Sequence, residues 1–226
     1  MQGEIAPEAE PESRRNVWWV VMQRHAEERP GRDVMAFAER AEGYDDGYLG
    51  RMHHQICDRV AELAVERAPN ARRILDVGCG TGYLLSRLAD QLPAAELLVG
   101  VDAAEAMVQV ARRNHDDPRT EFAVATAEQL PVESGFGLVV SSTSFDHWHD
   151  QLLGLRECAR VLHGGGHLVL CDLFSTLLIP TLVGERRRKA RTRHRATALL
   201  TAAGFEQPSW HPVYSVLVNA VSATKG

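Results

Sequence analysis

A glycine-rich loop between an apolar run and a helical pattern constrains this sequence more than any other feature. The loop reads Ile74-Leu-Asp-Val-Gly-Cys-Gly-Thr-Gly82, and a helical pattern begins at about Tyr83. Glycine is required where the backbone turns with a positive φ, or where a ligand lies directly against bare backbone. The first turn of a helix also presents unpaired N–H groups to whatever occupies such a loop. The pattern therefore predicts a ligand site at a strand-to-helix turn, with an unliganded glycine turn as the alternative.

Spacing narrows the choice of ligand. A dinucleotide-binding loop of the form G-x-G-x-x-G that starts at Gly78 would require glycine at position 83, where this chain has Tyr83. The next apolar run ends in Val99-Gly-Val-Asp102, so a carboxylate follows at the end of the second predicted strand. A carboxylate at that place can accept hydrogen bonds from both hydroxyls of a ribose. Enzymes that bind NAD use a carboxylate in the same way, so Asp102 alone does not distinguish the two ligand classes.

The rest of the chain indicates an α/β fold with a mixed sheet. Nearly continuous apolar runs alternate with amphipathic helices after Pro69, as a parallel sheet covered on both faces requires. Two extended segments close the chain with no helix between them, and strands joined so closely must be antiparallel. The predicted strands are Arg73–Val77, Leu97–Val101, Glu121–Ala125, Leu138–Ser142, His167–Cys171, Phe205–Trp210 and Ser215–Ala223, and the helices are Tyr83–Leu92, Ala104–Asn114 and Leu152–Leu162. We expect a disordered acidic lead-in at 1–15, a helical cap at 16–69 and a ligand-binding domain at 70–226.

Composition excludes some functional classes. The formal net charge of −5 gives no general attraction to nucleic acid or to an anionic membrane. No apolar run approaches the roughly 20 residues that span a bilayer, and the acidic first residues do not read as a signal peptide. The four cysteines form no C-x-x-C pair, so we expect reduced thiols in a cytoplasmic protein.

Several motifs resemble those of class I S-adenosylmethionine-dependent methyltransferases. The D-x-G-x-G-x-G string that starts at Asp76 resembles motif I of this family. Ala125-Thr-Ala-Glu-Gln-Leu-Pro131 is similar to the family's G-D-A-E-x-L-P segment, and Ser141-Ser-Thr-Ser-Phe-Asp-His-Trp-His-Asp150 resembles a segment of the small-molecule, ubiquinone-biosynthesis-like branch. The resemblance covers about residues 70–226. It implies a Rossmann-like sheet of seven strands whose last strand is antiparallel.

The resemblance also implies how S-adenosylmethionine is bound. Asp76 would lie near the amino group of the methionine moiety, and Asp102 would hold the ribose. Thr126 stands where the family commonly has an aspartate that contacts adenine, and its hydroxyl can still accept a hydrogen bond without a charge. The full predicted cofactor set is Asp76, Gly78, Cys79, Gly80, Gly82, Asp102, Ala103, Met107, Thr126, Ala127, Ser142 and Tyr44.

Chemistry is expected at the end of the fourth strand, because ligands of open α/β sheets bind outside the carboxyl ends of the strands. His147 is the first candidate for a general base that removes a proton from an acceptor, and His149 is the second. Alternatively, His147 and Trp148 only shape the pocket while Asp146 or Asp150 caps a helix. We predict no metal site at this cluster, because a third ligand is not in view.

The helical cap and a basic run are further candidates for functional surfaces. Tyr44 and Tyr48 of the Gly- and Asp-rich hinge, with His53 and His54, could close over the cofactor. The basic run Glu185–Arg195 is either a solvated face or a contact for an acidic partner, an anionic substrate tail or RNA. If the run is helical, its charges spread around most of the helix.

Three functions follow from these features. The main prediction is a methyltransferase that acts on a small molecule, with no nucleic acid or membrane partner. The alternatives are a macromolecular methyltransferase that uses the basic run, and a protein that binds the cofactor without methyl transfer. The sequence predicts neither the acceptor nor the oligomeric state.

Overall fold

The computed structural model of this 226-residue chain describes residues 32–175 and 189–226. The predicted acidic lead-in at 1–15 lies outside the described residues. So does the part of the basic run that precedes Lys189.

Among the described residues, seven strands form one mixed sheet, as predicted. Their spatial order is β3-β2-β1-β4-β5-β7-β6. β7 is antiparallel to both β5 and β6, whereas the other neighbouring strands pair in parallel. The strands are β1 (Arg73–Val77), β2 (Leu97–Asp102), β3 (Thr120–Val124), β4 (Phe136–Ser142), β5 (Leu162–Leu173), β6 (Phe205–Tyr214) and β7 (Val218–Lys225).

Helices cover both faces of the sheet. Alternate residues of each strand point to opposite faces, so Ile74 packs in the cluster that contains α2, α3 and α4, and Leu75 packs in the cluster that contains α5 and α6. The helices are α1 (Arg32–Arg40), α2 (Gly47–Arg67), α3 (Tyr83–Gln91), α4 (Glu105–Asn114), α5 (Gln151–Val161) and α6 (Arg193–Ala202), with 3₁₀ turns at Ala41–Gly43 and Phe145–His147. No helix among the described residues is both long and apolar enough to cross a bilayer.

Some boundaries differ from the predictions. The last strand begins at Val218 and not at Ser215, because Ser215 has a φ of 53° and belongs to the turn after β6. β5 begins at Leu162, earlier than predicted, because the glycines after it continue the strand through an irregular register against β4.

The hinge of the cap is shorter than predicted. α2 begins at Gly47, so Tyr48 is helical, and it is 68% exposed. Tyr48 is therefore exposed in the structure, and its closing over the cofactor stays a prediction.

Candidate cofactor and active site

The three glycines of the loop after β1 have two different tasks. All three have positive φ, namely 77° at Gly78, 54° at Gly80 and 87° at Gly82. A Cβ at Gly78 would overlap the Ser144 hydroxyl, and one at Gly82 would lie 2.7 Å from the His115 ring. At Gly80 no described atom lies within 4 Å of such a Cβ. Gly78 and Gly82 therefore allow close packing, whereas Gly80 exposes bare backbone to open space.

We predict that alanine lowers the stability of the protein much more at Gly78 than at Gly80. Gly78→Ala should lower the free energy of unfolding by about 3 kcal/mol or more, since it adds an overlap to the cost of positive φ. Gly80→Ala should cost only about 1–2 kcal/mol, from the positive φ alone. Urea unfolding monitored by circular dichroism measures both, and equal losses would contradict this division of tasks.

Asp102 connects the end of β2 to the glycine loop. Its Oδ2 accepts a hydrogen bond from Gly80 N at 2.9 Å, and its Oδ1 accepts one from Ala104 N at 2.8 Å. Burial raises the pKa of Asp102, and these two bonds and the nearby His147 offset part of that rise. Each carboxylate oxygen can accept a second hydrogen bond. Asp102 is thus held in place with acceptor capacity left for a ligand.

Asp76 is a buried carboxyl group near the end of β1. Its side chain is 1% exposed, and neither oxygen has a hydrogen-bond partner among the described residues. Burial, and next the negative charge of Asp102, raise the pKa of Asp76 to about 8. A buried carboxylate is costly unless a positive or donating group compensates it. The site therefore fits a ligand that brings a cation to this end of β1.

The residues predicted to border the adenine differ in burial, and one of them packs against the cap. Met107 is buried with Ala41 of the cap, and Tyr44 packs against that cluster. Burial, with smaller effects from neighbouring acidic groups that include Asp102, raises the pKa of Tyr44 to about 12. Ala127 is buried, Ala103 is half-buried and Thr126 is exposed. The structure thus brings Tyr44 close to Asp102 and leaves Thr126 exposed.

The end of β4 carries the two predicted histidines. Ser142 is buried at the end of this strand, and the next 3₁₀ turn ends at His147. The His147 ring contacts the Phe37 ring of α1 edge to face, at 4.9 Å between centroids. His147 and His149 are both exposed. Of the two histidines, His147 is the one whose charge lowers the pKa of both Asp102 and Asp172.

The predicted role of a helix cap is confirmed for Asp150 and is wrong for Asp146. Asp150 is the N-cap of α5, and its side chain accepts hydrogen bonds from Leu152 N and Leu153 N. Asp146 forms an ion pair with Arg191, at 3.0 Å between Oδ1 and Nε. The backbone N–H of Asp146 donates to Asp172 Oδ2 at 3.0 Å.

Sequence reasoning missed Asp172 and Arg191, which fix the turn that carries His147. Asp172 lies at the carboxyl end of β5, the kind of position where ligand-facing polar residues of such sheets occur, so its place offered a signal. Arg191 offered no such signal in the sequence, because it follows an insert of unpatterned sequence and pairs with Asp146, which lies 45 positions earlier.

The described part of the basic run is divided: Arg191 is buried, whereas Arg193, His194 and Arg195 are exposed. Arg191 is only 5% exposed, the Lys189 ammonium donates to the Trp148 carbonyl, and Arg193 donates to Asn219 Oδ1 at 2.6 Å. The predicted solvated face is therefore wrong for Arg191. Residues 189–192 of the run are not helical, and α6 begins at Arg193 with Thr192 as its N-cap.

Comparison with known proteins identifies the family. The family described as "Methyltransferase domain" matches residues 74–166. A malonyl-(acyl-carrier protein) O-methyltransferase of Geobacter sulfurreducens is 30% identical over 209 residues, which cover 82% of this chain and 77% of that protein. The ubiquinone/menaquinone biosynthesis C-methyltransferase UbiE of a Geobacter species is 36% identical over 115 residues, 49% of this chain and 48% of that protein. The chain spans about half the length of several curated relatives that it matches.

Solved structures agree on the fold. The chain is similar to one in a complex between the Haloferax volcanii Trm112 methyltransferase activator and a methyltransferase, with a TM-score of 0.68 and 18% identity over 87% of this chain and 99% of that one. The glycine loop, the carboxylate at the end of β2 and these relatives lead to one assignment. The chain belongs to the class I S-adenosylmethionine-dependent methyltransferases, in the branch that includes the quinone-biosynthesis enzymes.

Proposed function

We propose that this chain is a cytoplasmic methyltransferase that transfers a methyl group from S-adenosylmethionine to a small-molecule acceptor. The observation that carries the proposal is the meeting of the open backbone at Gly80 with the carboxyl groups of Asp76 and Asp102, at the ends of the adjacent strands β1 and β2. Two relatives support a small-molecule acceptor. One is named as a malonyl-(acyl-carrier protein) O-methyltransferase and the other as a ubiquinone/menaquinone biosynthesis C-methyltransferase. All four cysteines are free and buried, which supports a reducing compartment.

Each part of the site matches one part of the proposed cofactor. In this proposal the ribose hydroxyls donate to Asp102, and the aminoacyl tail lies over Gly80. The ammonium group of that tail supplies the positive charge that the buried Asp76 lacks. Gly78, Cys79 and Gly82 shape the loop, whose Gly78 and Cys79 N–H groups both donate to Val101 O.

The remaining predicted residues form the walls around the adenine and the methyl group. Ala103, Met107, Thr126 and Ala127 border the adenine in this proposal, and Tyr44 and Ser142 close the side toward the cap. S-adenosylmethionine supplies a methyl group on a positively charged sulfur. The protein then has to orient the acceptor and to exclude water. The burial of Tyr44 and the contact between Phe37 and His147 favour both tasks.

His147 is the proposed general base. It lies at the end of β4, on the side of the cofactor pocket where the acceptor would bind. Asp102 and Asp172 lie close enough to His147 for an electrostatic interaction with it. The ion pair of Asp146 with Arg191 holds the turn in place.

Binding of S-adenosylmethionine should release a proton from Asp76. The free protein holds a proton on this carboxyl at pH 7, because its pKa is about 8. A bound ammonium favours the ionised form, so affinity should rise with pH between 5 and 7, by at most about tenfold per unit. Calorimetry at pH 7 in two buffers of different ionisation enthalpy should give close to one proton released, and none for Asp76→Asn. A wild-type protein that releases no proton would contradict the pairing.

Transfer of label tests the proposed function. The full chain, incubated with methyl-labelled S-adenosylmethionine and a fractionated metabolite extract, should place label in a small-molecule fraction and release S-adenosylhomocysteine. Asp102→Ala protein is the control and should transfer far less label at the same cofactor concentration. Label found only in RNA or protein, or cofactor bound without any product, would favour one of the two alternative functions instead.

A further inference from the structure

Three potential metal ligands meet where the cap joins α2. Asp45, His53 and His54 can each offer one ligand atom such that all three atoms lie within 4.8 Å of one another. His54 Nε2 and Asp45 Oδ1 are 2.9 Å apart, and all three residues are half-buried. Two imidazoles and one carboxylate form a donor set that suits divalent transition metals, and it recurs in sites that bind zinc.

Both histidine rings are held in fixed orientations. The His54 ring is stacked on Tyr83, with 3.7 Å between centroids and 5° between planes. The His53 ring contacts Tyr44 edge to face at 5.2 Å, and its Nε2 lies 3.6 Å from Cys57 Sγ. A histidine that binds a metal commonly has its second ring nitrogen held by another group in this way.

The other nitrogen of His53 is the unexplained atom of the cluster. His53 Nδ1 is buried and has no hydrogen-bond partner among the described residues. Buried polar atoms without a partner are rare and call for an explanation. An ion bound between the three side chains would supply one.

The cluster borders the cofactor pocket from the cap side. Tyr44 contacts His53, and its phenol is close enough to Asp102 to interact with its charge. Cys57, next to His53, contacts Ser142 at the end of β4, at 3.9 Å between Sγ and Oγ. Three protein ligands leave at least one coordination position of a tetrahedral ion for water or a substrate oxygen.

We propose that Asp45, His53 and His54 bind one divalent transition-metal ion of the zinc type, whose open position takes an oxygen of the acceptor. The second half of this proposal rests on the proposed function. The acceptor O–H, polarised by the ion, gives its proton to His147. The oxygen then forms a bond to the methyl carbon while the carbon–sulfur bond breaks, and that electron pair stays on sulfur.

Metal titration tests the site without reference to catalysis. Full-length protein free of any histidine tag is stripped with a chelator and titrated with Co²⁺, whose visible absorption reports its coordination. We expect one Co²⁺ per chain, displaced by Zn²⁺. Asp45→Asn and His54→Phe should each weaken binding by about 100-fold or more, because each removes a ligand. His54→Phe keeps a ring to stack on Tyr83.

A matched control and a fold check make the result decisive. His194→Ala removes an exposed histidine on α6 and should leave Co²⁺ binding unchanged. Circular dichroism melts show whether each variant is folded, and the near-isosteric Asp45→Asn carries the test if His54→Phe does not fold. Fewer than one ion per two chains, or equal affinity in wild type and Asp45→Asn, would overturn the site and favour a plain Asp45–His54 hydrogen bond.

The role in transfer is tested separately. Zinc-loaded protein should transfer methyl label at least about tenfold faster than stripped protein, since a Lewis acid is worth several kcal/mol at a reacting oxygen. Equal rates would overturn the acceptor role while the binding site stands. A protein that binds Co²⁺ at Asp45 but shows no transfer in either state would instead contradict the proposed function, so the two failures are distinguishable.

Discussion

Asp102→Ala protein is expected to bind S-adenosylmethionine about 10²–10⁴-fold more weakly than the wild type. Two hydroxyl groups that donate to one carboxylate contribute about 1.5–3 kcal/mol each, because the acceptor is charged. The change also removes the acceptor of the Gly80 and Ala104 N–H groups, which hold the loop against β2. Calorimetric titration with S-adenosylhomocysteine measures the loss without the complication of turnover.

Two further variants separate the ribose contact from general effects. Asp90→Ala removes an exposed carboxylate on α3 and should leave the affinity unchanged. Asp102→Asn keeps the shape but loses the charge, so its affinity should lie between those of the wild type and the alanine variant. Undiminished binding by folded Asp102→Ala protein would refute the assignment of the ribose site.

His147→Ala is expected to reduce kcat by about 10²–10⁴-fold, the usual contribution of a general base. The affinity for S-adenosylhomocysteine should change by less than about threefold, because a general base, the role proposed for His147, acts mainly on the rate. Steady-state rates at saturating cofactor and calorimetry together measure the two effects. Added imidazole should restore part of the lost rate, because it can replace a missing base. It could not restore activity that was lost through a change in the shape of the pocket.

His149→Ala is the matched control for this prediction. His149 is also exposed and lies two residues away, so its removal should leave the rate within about threefold of wild type. A large loss in His149→Ala with little loss in His147→Ala would move the proposed base to His149. Loss in His147→Ala without any rescue by imidazole would favour the alternative in which His147 shapes the pocket.

The cofactor loop could be predicted from sequence because its requirements are local. Positive φ at Gly78, Gly80 and Gly82 follows from residue type, and the place of Asp102 follows from the end of an apolar strand. Sequence could not show that the three glycines differ in task. That difference depends on Ser144 and His115, which the fold brings against the loop from other elements.

The acceptor side was less predictable, since it depends on contacts between distant residues. The Asp146–Arg191 ion pair joins the turn after β4 to the return of the insert that follows β5. The hinge was misread because its Gly and Asp residues resemble a loop, whereas α2 already begins at Gly47 and carries Tyr48 into solvent. His53 and His54 were noted as possible covers of the pocket, but only the structure shows that their rings meet Asp45.

A crystal structure of the full chain with S-adenosylhomocysteine tests the central claim most directly. We predict ribose hydroxyls within about 3.2 Å of the Asp102 carboxylate, a normal hydrogen-bond distance. The aminoacyl tail should lie over Gly80 with its amino group toward Asp76, and the sulfur should face the side of His147. A ligand bound elsewhere, or a ribose that makes no contact with Asp102, would contradict the account.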